Sequence, residues 1–315
     1  EISAYLDRQR SLGFKYDNEA RVLAGLDDFL REHGHTALTG GSFDAWALTL
    51  EPLTPQGRRK KMQIVRRFTL YRRRSDPGCF VPDPSRFPSP SAQPSPWILT
   101  SQQVLALLEQ ASKLQSPPHS PLCAAVYRLG VVLLYTTGLR RGELLRLCIG
   151  DHDRSRHTLL VRMSKFGKSR IVALSRDARR ELATYLQRRL CFRHTANSPL
   201  LVHGKQAHKA YSGNGFGRGF RNLCREAGVL TASGVPPRVH DMRHTHAAHV
   251  LLRCYRDNGN PQAVLPVLSR SMGHASLAST AYYLSWIDPV IEQAVERVAR
   301  HIRPVLAASS GGSHD

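Results

Sequence analysis

Six residues in the second part of the sequence have the side chains that an attack on a phosphodiester requires. They are two arginines, a lysine, two histidines and a tyrosine, in chain order Arg140, Lys165, His240, Arg243, His274 and Tyr283. A tyrosine hydroxyl, with an ordinary pKa of about 10, is a weak nucleophile, and an anionic phosphodiester repels it. Most of the rate acceleration must therefore come from neutralising the charge of the phosphate. Two guanidinium groups suit that task because each can fork onto two oxygens.

The lysine and the histidines could move the protons. The departing 5′-oxygen needs a proton in the transition state. Lys165, in a predicted hairpin turn, could supply it, and Lys168 in the same turn is the alternative. His240 and His274 could donate to phosphate oxygens or accept the tyrosine proton, because histidine titrates close to neutral pH. The product would be a 3′-phosphotyrosine, which conserves bond energy so that a second DNA hydroxyl can reverse the step.

The composition favours nucleic acid as the partner. The 315 residues include 45 Lys and Arg against 24 Asp and Glu, a formal net charge of +21, and the isoelectric point is near 10.4. Such a charge suits a polyanion or an anionic membrane surface. We expect double-stranded DNA and no membrane, because no apolar run approaches the roughly 18 residues that a membrane span requires.

The cysteines and histidines do not predict a metal site. Six cysteines stand singly, without a Cys-x-x-Cys pair, which is typical of reduced thiols in a cytoplasmic protein. Four histidines between positions 240 and 249 lack the H-E-x-x-H arrangement. We therefore expect no metal or other cofactor, and a cytoplasmic, nucleoid-associated location.

Residues 1–81 are predicted to form a small helical domain. One amphipathic helix is expected within residues 17–34, and another should begin at the cap–proline pair Thr54-Pro55 and continue to about residue 74. The second helix carries nine cations and no acid, whereas a solvated face normally mixes both signs, so we expect phosphate contacts. The predicted DNA-binding residues are Arg58, Arg59, Lys60, Lys61, Arg66, Arg67, Arg72, Arg73 and Arg74.

A linker and a second domain should follow. Residues 82–96 hold six prolines and four serines, which favours an extended polyproline II linker. Residues 97–306 should contain a capped helix from Thr100, a buried helix at 123–136, two short strands at 158–163 and 170–174, and several basic helices. A final helix should begin at Asp288, and residues 307–315 should be a flexible tail. The predicted fold class is mainly α with a small antiparallel β-sheet (α+β).

Taken together, these segments resemble the tyrosine recombinases of the phage integrase family over nearly the whole chain. Four motifs carry the resemblance, namely a first arginine box at Thr137-Gly138-Leu139-Arg140-Arg141-Gly142-Glu143-Leu144, a second box at His240-x-x-Arg243-His244, a third at Gly273-His274, and a nucleophile motif at Thr280-x-x-Tyr283. The resemblance implies a helical core-binding domain at residues 1–81 and a catalytic domain at residues 97–306.

The family pattern also selects between alternatives. The Thr-x-x-Tyr spacing favours Tyr283 over Tyr282 as the nucleophile, and the alignment of the hairpin favours Lys165 over Lys168 as the catalytic lysine. Lys168 is then predicted to bind DNA.

In the first box, the residue directly after Gly-Leu is Arg140, so Arg141 is predicted to contact the DNA backbone. Glu143 matches the family's acidic residue and should orient Arg140 or a histidine. A plain helix-dipole role is the alternative for Glu143.

By resemblance, the activity is site-specific recombination without a cofactor, by a homotetramer on two DNA sites, with sister recombinases or accessory proteins as further partners. The long segment between Arg243 and His274, together with the charge, favours integration or excision of a mobile element. A type IB topoisomerase-like nicking-closing enzyme and a noncatalytic DNA-binding protein on the same scaffold are the alternatives. The final helix could pack on its own domain or on a neighbouring subunit.

Overall fold

The computed structural model describes residues 1–90, 95–162, 169–274 and 276–286. The chain divides into two compact units, Glu1–Ser95 (unit 1) and Pro96–Asp315 (unit 2). Lys165, Lys168, the predicted final helix and the predicted tail lie outside the described residues.

Unit 1 is built from helices α1 (Ile2–Ser11), α2 (Asp17–Glu32), α3 (Gly40–Leu48) and α4 (Pro55–Arg72). The helix α4 begins as its sequence predicts, because the Thr54 hydroxyl accepts a hydrogen bond from the Gly57 amide and Pro55 occupies the first turn. The apolar faces of α2, α3 and α4 meet in one core, in which Leu23, Phe43 and Val65 are almost fully buried.

Residues 82–88, the first residues of the predicted linker, pack onto unit 1. Pro84–Arg86 form a 3-10 turn, and the Phe87 ring is buried in the unit 1 core. Arg86 donates to Asp44 Oδ2 at 2.6 Å. Burial of this aromatic ring stabilises the packing of the segment on unit 1.

Unit 2 is organised around helix α6 (Cys123–Thr137), which is apolar on nearly every side and lies against α5 (Ser101–Lys113), α8 (Arg176–Arg189) and α10 (Val239–Arg256). A short helix, α7 (Arg141–Arg146), follows α6 directly. The remaining helices of the described part are α9 (Gly213–Glu226), α11 (Pro261–Met272) and α12 (Ala278–Ala281), with a 3-10 segment at Tyr282–Trp286.

Two small antiparallel sheets complete the described part of unit 2. Strands β1 (His152–Asp153), β2 (Thr158–Val161) and β3 (Arg170–Ala173) pair in the order β1-β2-β3, and Leu159 lies opposite Val172. Strands β4 (Val202–His203) and β5 (Lys209–Ala210) form a second pair. The predicted fold class, mainly α with small antiparallel sheets, is confirmed. No helix in the described ranges is both long enough and apolar enough to cross a membrane.

Candidate active site

Two glycines with left-handed backbone conformations place the first and third boxes. Gly138, at φ +62°, ends α6 and turns the chain so that Arg140 becomes the residue that precedes α7. Gly273, at φ +66°, ends α11 and directs His274 away from the helix. Both are conformations that a residue with a Cβ rarely adopts, which explains why each box contains a glycine.

A carboxylate inside the site holds two arginines. Glu143 is almost fully buried and accepts from Arg140 NH1 at 2.7 Å and from the Arg140 amide at 2.9 Å. Both of its oxygens also accept from Arg170 in β3, at 3.0 Å and 2.8 Å. Burial alone would raise the pKa of Glu143, but the hydrogen bonds from Arg170 and Arg140 outweigh it and lower the pKa to about 2. Glu143 is therefore ionised at neutral pH and cannot serve as a proton donor.

The last turn of α11 accepts hydrogen bonds from three arginines on three different elements. Arg170 Nε donates to the Ser271 carbonyl, Arg243 NH2 to the Met272 carbonyl and Arg140 NH2 to the Gly273 carbonyl, each at 2.7 Å. Carbonyls at a helix C-terminus have no partner within the helix and carry partial negative charge. This turn thus gathers the guanidinium groups of both predicted catalytic arginines.

Arg243 on α10 is the more deeply buried of those two arginines. It also donates from NH1 to the Gly138 carbonyl at 2.5 Å. Burial, and secondarily the charge of Arg140, lower its pKa to about 9. The guanidinium still carries its charge at neutral pH, and its orientation is fixed by two carbonyls from different helices.

The Tyr283 hydroxyl lies 2.9 Å from Nδ1 of His244. The Tyr283 side chain is only 3% exposed, whereas Tyr282 is 47% exposed. Burial raises the pKa of Tyr283, with partial relief from the charge of Arg243. Burial, followed by the neighbouring His240, lowers the pKa of His244 to about 4, so the imidazole is neutral at neutral pH.

The two histidines predicted from the boxes lie in the same site but do not make that contact. The rings of His274 and Tyr283 are stacked, with their centroids 6.2 Å apart. The Nδ1 atom of His274 lies 2.6 Å from the Thr280 hydroxyl. The His240 ring meets His244 edge-on at 4.7 Å. Burial lowers the pKa of both, and that of His274 falls to about 4.

Residues 98–286 match the family model described as "Phage integrase family". The chain belongs to the phage integrase family. The predicted membership among the tyrosine recombinases is thereby confirmed.

Similarity to other integrase-family proteins extends over most of the chain. A proposed integrase/recombinase of Sinorhizobium fredii, y4rB, is 30% identical over 305 residues, covering 95% of this chain and 96% of the relative. The tyrosine recombinase XerD of Brucella suis is 28% identical over 282 residues, covering 87% of this chain and 83% of its own length.

Solved integrase-family structures share the fold. The Tn1549 transposon integrase, in complex with transposon right end DNA, superimposes with a TM-score of 0.64 at 18% identity, covering 95% of this chain and 99% of its own. A lambda integrase dimer bound to a core site gives a TM-score of 0.60 at 18% identity, covering 90% and 93%.

His244 belongs to the predicted second box but was given no role there, and Arg170 was not predicted at all. His244 lies next to Arg243 and one helical turn after His240, so the helical period could have indicated that His240 and His244 share one face. Arg170 follows Glu143 by 27 positions, and no local pattern connects the two. Only the fold brings β3 beside α7.

Several of the nine cations predicted to bind DNA have partners within unit 1. Arg59 donates to the Pro88 carbonyl at 2.7 Å, and Arg66 donates to the Pro82 carbonyl. Arg72 pairs with Glu1 at 2.8 Å. These three side chains therefore hold neighbouring segments in place, and their contact with DNA stays a prediction.

Arg141 lies over the first turns of α9. A Cβ added at Gly213 would come within 3.2 Å of the Arg141 guanidinium, and one at Gly217 within 3.4 Å. The glycines of α9 thus leave room for this arginine on the helix surface.

Proposed function

We propose that the protein is a site-specific DNA recombinase that cleaves and rejoins strands through a 3′-phosphotyrosine on Tyr283. One observation carries the proposal, namely the 2.9 Å contact between the Tyr283 hydroxyl and His244 Nδ1. The same site contains Arg140 and Arg243, both held by carbonyls. A hydroxyl nucleophile, a neutral base and two oriented guanidinium groups are what attack on a phosphodiester needs. Relatives with the same fold support DNA as the substrate, because their structures contain transposon-end DNA or a core site.

In the first step, the Tyr283 oxygen forms a bond to phosphorus while its proton passes to His244. The bond between phosphorus and the 5′-oxygen breaks, and the 5′-oxygen takes a proton from a general acid, for which we propose Lys165. Arg140 and Arg243 offset the charge that develops on the nonbridging oxygens, and His240 and His274 donate to those oxygens. A 5′-hydroxyl of a second strand then attacks the phosphotyrosine and releases Tyr283, so no phosphodiester is hydrolysed.

We further propose that residues 1–81 act as the core-binding domain and residues 97–306 as the catalytic domain of this recombinase. Lys60, Arg73 and Arg74 are exposed on or just beyond α4, which suits contacts with phosphates. The proposed assembly is a homotetramer on two DNA sites, acting in integration or excision of a mobile element.

The test is covalent trapping on DNA. The recombination site is first located by mapping cleavage positions in DNA that flanks the gene, and a nicked duplex of that site is then incubated with the protein. Because of the nick, the short fragment that carries the released 5′-hydroxyl diffuses away. Its hydroxyl can then no longer reverse the cleavage, and a covalent protein–DNA adduct accumulates. Tyr283→Phe should form no adduct, and the matched Tyr282→Phe variant should form it at nearly the wild-type rate.

Each outcome bears on the proposal. Loss of the adduct in Tyr282→Phe with retention in Tyr283→Phe would refute the assignment of the nucleophile. Relaxation of supercoils without strand exchange between two labelled duplexes would favour the topoisomerase-like alternative. Specific binding without any adduct in the wild type would favour a noncatalytic DNA-binding protein.

A further inference from the structure

Arg140 has two anchors, and Arg170 bonds to the first of them and to a carbonyl two residues before the second. The first anchor is the Glu143 carboxylate, which receives Arg140 NH1 on one oxygen and both terminal nitrogens of Arg170. The second anchor is the Gly273 carbonyl, two residues after the Ser271 carbonyl that accepts from Arg170 Nε. Arg170 therefore connects α7 to the last turn of α11, which are the two elements that aim Arg140.

The donors of Arg170 are directed at the protein. Its Nε and both terminal nitrogens bond to Glu143 and Ser271, and its side chain is 11% exposed. Arg140 is more open, at 24% exposed. A third guanidinium next to two others would repel them if Glu143 and the helix end did not carry the opposite charge. Arg140 is therefore the more accessible of the two to a substrate, whereas the nitrogens of Arg170 bond to other parts of the protein.

We propose that Arg170 is a positioning residue, which holds Glu143 and the α11 turn so that the Arg140 guanidinium faces the scissile phosphate. The inference rests on the proposed strand-cleavage function. If the Glu143 carboxylate rotated freely, or if the Gly273 carbonyl shifted, the Arg140 guanidinium would no longer be held facing the scissile phosphate. A misplacement of about 1 Å in a catalytic group can cost roughly 100-fold in rate.

The experiment measures single-turnover cleavage of the nicked duplex at saturating protein, and DNA affinity separately, with wild type as reference. Arg170→Ala should slow cleavage about 100-fold while the Kd for DNA changes by less than about threefold. Arg170→Lys keeps a positive charge beside Glu143, so it should fold even if the alanine variant does not. A single ammonium cannot reproduce the planar fork that a guanidinium places on both oxygens of Glu143 and on Ser271, and cleavage should therefore still fall by about tenfold.

The matched control is Arg128→Ala in α6. Arg128 likewise joins a carboxylate to a carbonyl, donating to Glu181 at 2.8 Å and to Leu108 at 3.1 Å. Its loss should lower thermal stability, by less than the loss of Arg170 because the Arg128 pair is more exposed, and should leave the cleavage rate within about twofold. A merely structural role for Arg170 would make the two variants alike.

A double-mutant cycle with Arg140→Lys gives the second readout. If Arg170 acts through Arg140, adding Arg170→Ala to Arg140→Lys should slow cleavage by less than about threefold. The reason is that Arg140→Lys has already removed the guanidinium that Arg170 would position. Equal slowing in both backgrounds would show that Arg170 acts independently and would overturn the inference. Cleavage by Arg170→Lys and Arg170→Ala at the wild-type rate would overturn it as well. Absence of any adduct in the wild type would instead overturn the proposed function, and this inference with it.

Discussion

Replacing Glu143 by glutamine should destabilise unit 2 in a pH-dependent way. The substitution keeps the shape of the side chain and removes the charge that faces Arg140 and Arg170. The new amide group would point its own N–H donors at guanidinium N–H donors on at least one side. Two buried or half-buried arginines would then lose their counter-ion, which is a strongly destabilising change.

The magnitude follows from the pKa of Glu143, which falls from an ordinary 4.5 to about 2. A lowering of about 2.5 corresponds to about 3 kcal/mol of stability, since each pKa unit is worth about 1.4 kcal/mol. The folded state binds fewer protons than the unfolded state between these two pKa values. The stabilisation is therefore complete well above pH 4.5 and is lost as the pH falls toward 2. At pH 3 about 1 kcal/mol should remain.

The assay is urea denaturation at pH 7 and pH 3, with the transition of unit 2 fitted separately. Wild type and Glu143→Gln should differ by about 3 kcal/mol in unfolding free energy at pH 7 and by about 1 kcal/mol at pH 3. Glu109→Gln, on the exposed face of α5, is the matched control and should change little at either pH. Equal differences at the two pH values, or a Glu143→Gln variant as stable as wild type, would refute the reasoning.

Three further outcomes are expected. Gly138→Ala should lower unfolding free energy by about 2 kcal/mol or more in urea denaturation, because φ is +62° and the added Cβ would lie 2.5 Å from the His246 ring; unchanged stability would contradict it. The pKa of His246 is lowered to about 4, chiefly by burial, so the unfolded state binds the extra proton and this histidine alone should remove about 2 kcal/mol of stability from pH 7 to pH 5. His244 and His274 add similar losses in the wild type, and His246→Asn should show a slope that is shallower by the share of His246. Phe87→Ala should destabilise unit 1 by about 3 kcal/mol, whereas Phe14→Ala, at an exposed ring, should cost far less in a thermal melt; equal losses would show that Phe87 does not belong to the core.

The sequence predicts most of the fold because its local signals agree with the packing. The Thr-Pro start of α4, the capping box before α5 and the strand pair around residues 158–173 all depend on neighbours within a few positions. Local signals do not predict the packing of residues 82–88, because that packing depends on burying the Phe87 ring in a core built from distant residues. Composition alone could not indicate that contact.

The candidate site divides in the same way. Short motifs identify Arg140, Arg243 and Tyr283, because each box keeps its residues at fixed spacing. Which base contacts Tyr283 depends on how α10 turns toward the 3-10 segment, and the contact belongs to His244. The acceptors for the arginines are main-chain carbonyls, which no side-chain pattern reveals.

Main-chain acceptors also set how freely this turn can vary in sequence. Ser271 offers its carbonyl to Arg170, while its hydroxyl donates only to the Leu268 carbonyl within the helix. Many side chains at position 271 would leave the arginine contact intact, so related sequences can drift there without losing activity. Position 273 should tolerate few substitutions, because its backbone is left-handed and an added Cβ would lie 3.0 Å from Nη1 of Arg170. Mutational scanning should therefore find a tolerant serine two residues from an intolerant glycine on one turn.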